Sequence, residues 1–299
     1  MTVLELIEDG ARRLAGAGVA FGHGTANAFD ESAWLVLWAL GLPLDSNLDP
    51  GSPATRQAVA APAAAKAEAI IRRRIESRQP AAYLTGEAWL CGVPFNVDSR
   101  TIVPRSFVAE LLAGGAIDPW LGDHTGRVLD LCTGGGSLAV LAAMAWPDVT
   151  VDAADISADA LAVARSNIDR HGLQDRIRLL ISDSLRSVDG PYDLIVCNPP
   201  YVNAQSMARL PAEYQAEPPL ALAGGADGMA FVGPLLRAAP QYMNANAVLV
   251  LEIGNERENF DAAFPRFEAV WLETSAGQDQ VLLVTREALL LSATCHDHT

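Results

Sequence analysis

Apolar positions recur at helical spacing through the first 80 residues, then condense from about residue 126 into short unbroken runs. In the first part, Trp34, Leu35, Leu37, Trp38 and Leu40 outline a helix that Asp30 is placed to cap and that Gly41 and Pro43 end. Ile70, Ile71 and Ile75 mark a second helix, with Arg72, Arg73 and Arg74 read as its solvated face. The Pro/Gly/Ala-rich stretch 49–62 reads as a loop between the two. Between Tyr83 and Arg105, Gly86, Gly92 and Pro94 punctuate short apolar-aromatic pieces, the pattern of a β-hairpin. The later runs predict strands at Arg127–Leu131, Val149–Ala154, Arg176–Ile181, Asp193–Cys197, Ala247–Glu252, Phe267–Glu273 and Gln280–Thr285. Helical stretches such as Ala158–Asn167 lie between some of them. Alternation of this kind implies an α/β fold, a doubly wound and mostly parallel seven-stranded sheet, with the closing hairpin adding one antiparallel strand. The expected organisation is a helical domain over 1–80, a β-hairpin linker over 81–105 and the α/β domain over 106–299.

Composition narrows the class. The chain has 299 residues, half of them hydrophobic, enough for a sizeable core. No apolar stretch approaches the roughly 20 residues of a membrane span. The acidic, amphipathic start (Met1 to Asp9) is unlike a signal peptide. Cys91, Cys132, Cys197 and Cys295 lie far apart with no C-x-x-C pair, which suits reduced thiols in a cytoplasm and neither a disulfide scaffold nor a zinc site. The tail Thr294-Cys-His-Asp-His298 reads as a frayed terminus, and no metal is expected. A net charge of −15 argues against sequence-blind nucleic-acid binding, which depends on Lys and Arg neutralising phosphates, and suits a basic protein partner.

The chemistry concentrates at Asn198-Pro199-Pro200-Tyr201, directly after the apolar run Asp193–Cys197. Two prolines cannot continue a ladder, so they form a rigid turn in which the Asn198 side chain and the Pro199 carbonyl can point the same way. A planar NH2 group needs two acceptors at that spacing, and Tyr201 offers a ring for its face. This is a seat for an amide or an exocyclic amine. A second motif, Val128-Leu-Asp-Leu-Cys-Thr-Gly-Gly-Gly-Ser137, joins the first predicted strand to a helix. Its glycines let backbone approach a ligand. Asp155, ending the next strand, suits a grip on ribose hydroxyls, and Asp183, after the third, can accept from an adenine amine. The glycine spacing alone also satisfies a dinucleotide fingerprint, so NAD is an alternative. Asp130, set before the glycines to attract a cation, and the amide seat favour S-adenosylmethionine. Asp130 as a helix-capping carboxylate is the other reading of that residue.

These residues resemble the class I S-adenosylmethionine-dependent, Rossmann-like methyltransferases, specifically the protein-glutamine N-methyltransferases. The resemblance rests on Pro80-Ala-Ala-Tyr-Leu-Thr-Gly-Glu-Ala-Trp89, Gly92-Val-Pro-Phe95, Val103-Pro-Arg105, the loop at 130–137, Asn198-Pro-Pro-Tyr201, Glu217-Pro-Pro-Leu-Ala-Leu222, Gly224-Gly-Ala-Asp-Gly228 and Leu251-Glu-Ile-Gly254. Arg105-Ser-Phe-Val-Ala-Glu110, Glu87-Ala-Trp-Leu-Cys-Gly92 and Cys132 look like the branch that acts on the third protein of the large ribosomal subunit rather than the release-factor branch. The expected cofactor-binding set is Asp130, Thr133, Gly134, Gly136, Asp155, Asp183, Ser184 and Asn198. The expected catalytic turn is Asn198, Pro199, Pro200 and Tyr201, with Phe95, Tyr201 and Glu217 toward substrate. The resemblance also implies that the N-terminal helices recognise the protein substrate. Competing readings are a release-factor glutamine methyltransferase, a nucleic-acid adenine N6-methyltransferase seating an extruded base in the same turn, and a non-enzymatic S-adenosylmethionine sensor.

Overall fold

The structure, a computed structural model, describes residues 1–122 and 125–294, so the Cys/His tail over 295–298 lies outside the described residues. The N-terminal part is built from helices α1 (Val3–Gly16), α2 (Ala28–Leu40), α3 (Pro53–Arg56), α4 (Ala61–Ser77) and α5 (Ala81–Thr85). A capping box at Thr2 and Glu5 starts α1. Helix α2 ends at Gly41 in the left-handed region, as its sequence predicts, but its cap is Asn27 rather than Asp30. Asp30 sits in the first turn and gives its N–H to Asn27 Oδ1 at 2.9 Å, while Asn27 Nδ2 donates to Asp30 Oδ2 at 2.7 Å. The predicted loop 49–62 contains the short α3, capped by Ser52.

A two-stranded antiparallel hairpin follows, β1 (Glu87–Leu90) with β2 (Val93–Asn96), and then α6 (Val108–Ala113). The remaining chain runs β3 (Arg127–Leu131), α7 (Ser137–Ala145), β4 (Thr150–Asp155), α8 (Ala158–Arg170), β5 (Ile177–Ile181), β6 (Tyr192–Cys197), α9 (Ala204–Met207), α10 (Ala212–Gln215), α11 (Val232–Ala238), β7 (Met243–Glu252), α12 (Arg257–Ala263), β8 (Val270–Thr274), β9 (Gly277–Thr285) and α13 (Arg286–Thr294). Among the described residues, seven strands form one sheet in the order β5-β4-β3-β6-β7-β9-β8, and β9 alone runs against the rest. This is the expected α/β, doubly wound sheet. Its strands are apolar on both faces because both are covered. On one face Val128, Val151, Val196 and Val250 pack under α6, α7 and α8. On the other, Leu129, Leu131, Ile195, Leu249 and Leu251 pack against α11, α12 and α13. Strand order reverses between β3 and β6, and their register sets Leu131 beside Cys197, so the loops after both strands emerge together. Ligands of such sheets bind at that reversal.

The arginine run on α4 is not wholly a solvated face. Arg72 and Arg73 are exposed, but Arg74 is fully buried. Its guanidinium meets Glu31 of α2 at 2.8 Å, Glu213 of α10 at 3.4 Å and the Ala20 carbonyl at 3.0 Å. A buried guanidinium persists only when its donors are matched, and here the match ties the N-terminal helices to the chain after β6. Replacing Arg74 with Met strips the buried Glu31 carboxylate of its guanidinium and leaves Glu213 with Arg78 alone. Urea unfolding is expected to show a loss of about 3 kcal/mol, and a loss under about 1 kcal/mol contradicts this reading.

Candidate active site

The loops after β3 and β6, with those after β4 and β5, wall a cleft at the C-terminal edge of the sheet. Its cavity volume is about 210 Å³, and it opens to solvent on one side. Cys132, Gly134, Asp155, Ser157, Asp183, Ser184, Asn198 and Pro200 line it, and Pro218, Leu220 and Phe231 form its further wall. Asp155 stands at the end of β4. Its Oδ2 accepts the Gly134 N–H at 2.9 Å and its Oδ1 the Ser157 N–H at 2.9 Å. Two backbone donors thus fix the carboxylate and leave lone pairs facing the cleft, the geometry that a vicinal diol needs. Asp183 is exposed and paired with Arg186, and Ser184 adopts a left-handed turn beside it, with φ of 53°. Gly136 has φ of 79°, and a Cβ there would lie 3.1 Å from the Ala164 Cβ, so the turn into α7 has no space for a side chain.

Two expected cofactor contacts do something else. Asp130 is 1% exposed and Thr133 is 6% exposed, and neither lines the cleft. Alternation along β3 turns Asp130 to the face covered by α7, opposite Leu129 and Leu131. There its Oδ2 accepts the Thr133 hydroxyl and, at 2.9 Å, the Ala139 N–H in the first turn of α7. The residue braces the loop, the capping alternative left open by the sequence. Its Oδ1 has no hydrogen-bond partner among the described residues. Burial pushes the carboxyl up to about 7, against the lowering effect of Thr133 and the Ala139 N–H.

The Asn-Pro-Pro-Tyr turn sits where expected, with Asn198 and Pro200 on the cleft wall and Pro199 buried. Tyr201 turns back into the protein, its hydroxyl donating to Glu252 Oε1 at 3.0 Å. The two remaining substrate candidates are structural. Phe95 is fully buried, tilted against the His171 ring at 5.5 Å, and is not part of the cleft lining. Glu217 is 2% exposed and fully occupied. Arg105 grips it bidentately at 2.5 and 2.7 Å, the Val103 N–H donates at 2.8 Å, and His23 Nε2 lies 3.4 Å away. Burial would push the Glu217 carboxyl up, but His23 and the Arg105 guanidinium beside it hold it down to about 2. Arg105 and Ser106 were not read from the sequence as site-building residues. Their partners, Glu217 and Glu252, are more than a hundred positions away. Arg100 and Ile102, which also line the cleft, carry no distinguishing local signal.

A carboxyl whose pKa is higher folded than unfolded stabilises the fold at low pH. For Asp130 that contribution is lost as pH rises from about 4 through about 7. Asp130→Asn keeps one oxygen for Thr133 and Ala139 and has no such dependence. Urea unfolding at a series of pH values is expected to show the variant gaining on the parent between about pH 4 and pH 7, by more than about 1 kcal/mol, then levelling. A difference that stays flat with pH contradicts the assignment.

Comparison with known proteins shows the family. Residues 116–213 match the family "Methyltransferase small domain". The chain is 53% identical over 291 residues to the ribosomal protein uL3 glutamine methyltransferase of Bordetella pertussis (strain Tohama I), covering 96% of each chain. It is 50% identical over 293 residues to the protein of that name from Burkholderia pseudomallei (strain K96243), covering 95% of this chain and 94% of the other. Among solved structures, the hMettl16 catalytic domain in complex with MAT2A 3'UTR hairpin 6 superposes with a TM-score of 0.50 at 14% identity, over 75% of this chain and 81% of that one, a likeness of fold alone. The cleft's carboxylates and glycine loop suit a nucleoside, and the dinucleotide alternative falls away with the family. The chain belongs to the ribosomal protein uL3 glutamine methyltransferase family, a family of enzymes.

Proposed function

We propose that this protein methylates a glutamine side-chain amide nitrogen of large-subunit ribosomal protein uL3. The observation that carries the reading is Asn198, placed on the wall of the cofactor cleft at the start of a diproline turn, in a chain whose relatives are named for this reaction. S-adenosylmethionine supplies an electrophilic methyl group. In our reading, Asp155, Asp183 and Ser184 hold its nucleoside, with Gly134 and Gly136 giving it backbone room and Asn198 bordering both ligands. Asp130 and Thr133 keep the glycine loop in shape from behind.

The chain's remaining task is to present a poor nucleophile. An amide nitrogen delocalises its lone pair into the carbonyl. Asn198 Oδ1 and the Pro199 carbonyl accept the two N–H bonds, fix the direction of the nitrogen and favour the positive charge that develops on it. Acceptors held in advance on a stiff turn stabilise that charge without reorganising, and orientation of the two reactants supplies much of the remaining acceleration. Once alkylated, the nitrogen sheds a proton readily, so no strong base is needed. The N-terminal helices, residues 1–80, serve in this reading to engage the folded substrate. Arg74 and Glu213 join them to the segment that follows the turn.

The acidic balance suits a basic ribosomal protein and disfavours direct nucleic-acid contact. No helix among the described residues is long and apolar enough to cross a membrane, and we place the reaction in the cytoplasm. Purified protein with labelled S-adenosylmethionine should transfer label to uL3, and not to a Gly-Gly-Gln release factor or duplex DNA. Asn198→Ala should lower kcat about 100-fold while calorimetric cofactor affinity stays within a few-fold. Unchanged turnover would remove Asn198 from the mechanism, and preferential labelling of the release factor or DNA would overturn the substrate.

A further inference from the structure

Glu252, at the last position of β7, is a buried carboxylate with no part in the chemistry above. It is 2% exposed and joins two segments far apart in sequence. Its Oε2 accepts the Ser106 hydroxyl at 2.6 Å and the Phe107 N–H at 2.9 Å, and its Oε1 accepts the Tyr201 hydroxyl at 3.0 Å. No Lys, Arg or His forms an ion pair with it among the described residues. It is not part of the cleft lining, so it does not reach the reacting atoms. Burial raises both the Glu252 carboxyl and the Tyr201 phenol, in keeping with a bond sealed from solvent.

The surroundings of Tyr201 are built to one shape. A Cβ on Gly254 would lie 2.4 Å from the Tyr201 ring, and one on Gly228 would lie 2.4 Å from the Tyr201 carbonyl oxygen. A Cβ on Gly224 would lie 2.6 Å from the Tyr201 carbonyl carbon. Val202 then continues as a bridge, its N–H donating to the Leu222 carbonyl at 2.8 Å and its carbonyl accepting from Gly224 at 2.9 Å. Glycines crowd the tyrosine on ring and backbone, and the hydroxyl is its polar anchor. Only Pro199 and Pro200 separate Tyr201 from Asn198. Proline fixes φ, so a displacement of Tyr201 passes to Asn198 with little damping.

We propose that Glu252 is a positioning residue for methyl transfer, holding the Tyr201 hydroxyl and the start of α6 so that Asn198 and Pro199 keep their aim on the acceptor nitrogen. The proposal rests on the glutamine-methylation reading for its kinetic arm alone. Glu252→Gln keeps an oxygen for Ser106 and Phe107 and an NH2 that can donate to the tyrosine oxygen. Glu252→Ala leaves three buried donors unmatched. Tyr201→Phe deletes one bond and keeps the ring.

The test uses the full chain with uL3 as acceptor, calorimetry with S-adenosylmethionine, and amide hydrogen exchange. Glu252→Ala and Tyr201→Phe are each expected to lower kcat about 30-fold, with KM for uL3 and cofactor affinity within about threefold. Glu252→Gln should stay within about threefold of the parent, and the double variant should be no slower than the slower single, as for residues acting through one contact. Exchange at Tyr201, Val202 and Asn203 should quicken in Glu252→Ala and Tyr201→Phe, stay slow in Glu252→Gln, and be unchanged over α7. Full kcat in Tyr201→Phe, multiplicative losses in the double variant, or a glutamine variant as slow as the alanine one would each overturn the proposal. Should Glu252→Ala fail to fold, Tyr201→Phe and Glu252→Gln still decide. Should the parent leave uL3 unmethylated, the substrate reading fails by itself, and the exchange measurement decides the proposal.

Discussion

The bidentate ion pair between Arg105 and Glu217 is the contact on which the site's shape depends. Glu217 lies within the segment that follows the diproline turn, next to Pro218 of the cleft wall. Arg105 lies in the loop between β2 and α6. A buried carboxylate is costly unless its lone pairs are filled, and here a guanidinium fork and the Val103 N–H fill them. The pair does little for the sheet, which coheres through its own ladders. It closes the loop segment over the parallel edge, so that the cleft has a second wall.

Around that pair the polar interior forms a chain of matched charges. Arg74 links Glu31 and Glu213, Arg78 reaches Glu213 at 3.2 Å, and Arg105 holds Glu217. His23 sits beside Glu217 against the Tyr214 ring, at a centroid distance of 4.2 Å. One residue along from Arg105, Ser106 passes to the Glu252 centre and so to Tyr201. Both networks converge on the segment that begins at Asn198. The N-terminal helices therefore connect to the chain after the turn through these contacts and contribute no residue to the cleft lining. Directional, fully matched contacts of this kind give a low-dielectric interior one arrangement rather than several.

Much of this was legible in the sequence, and the reasons for the failures are physical. The central strands were readable because they are short apolar runs covered on both faces, and the Arg127–Leu131 prediction coincides with the strand. The turn at Asn198 was readable because two prolines and an asparagine leave few conformations. Asp155 was readable because its place at a strand end is itself the signal. Asp130 was ambiguous, since the same carboxylate that attracts a cation also caps a helix, and only the face of β3 it occupies decides between them. Glu217 and Phe95 illustrate the same limit: a buried acid and a buried ring have the same local sequence whether they face a ligand or a neighbouring segment. Asn27 outcompeted Asp30 as cap because the backbone enters the helix one turn earlier. The partner of Arg105 lies 112 positions away, where no local pattern records it.

The most direct test of this account is the structure of the protein with S-adenosylhomocysteine and a glutamine-bearing segment of uL3. The account predicts the carboxamide NH2 within hydrogen-bond distance of both Asn198 Oδ1 and the Pro199 carbonyl, with its nitrogen toward the cofactor sulfur and the Tyr201 hydroxyl still on Glu252. A carboxamide seated elsewhere in the cleft, with Asn198 turned away from it, would contradict the account.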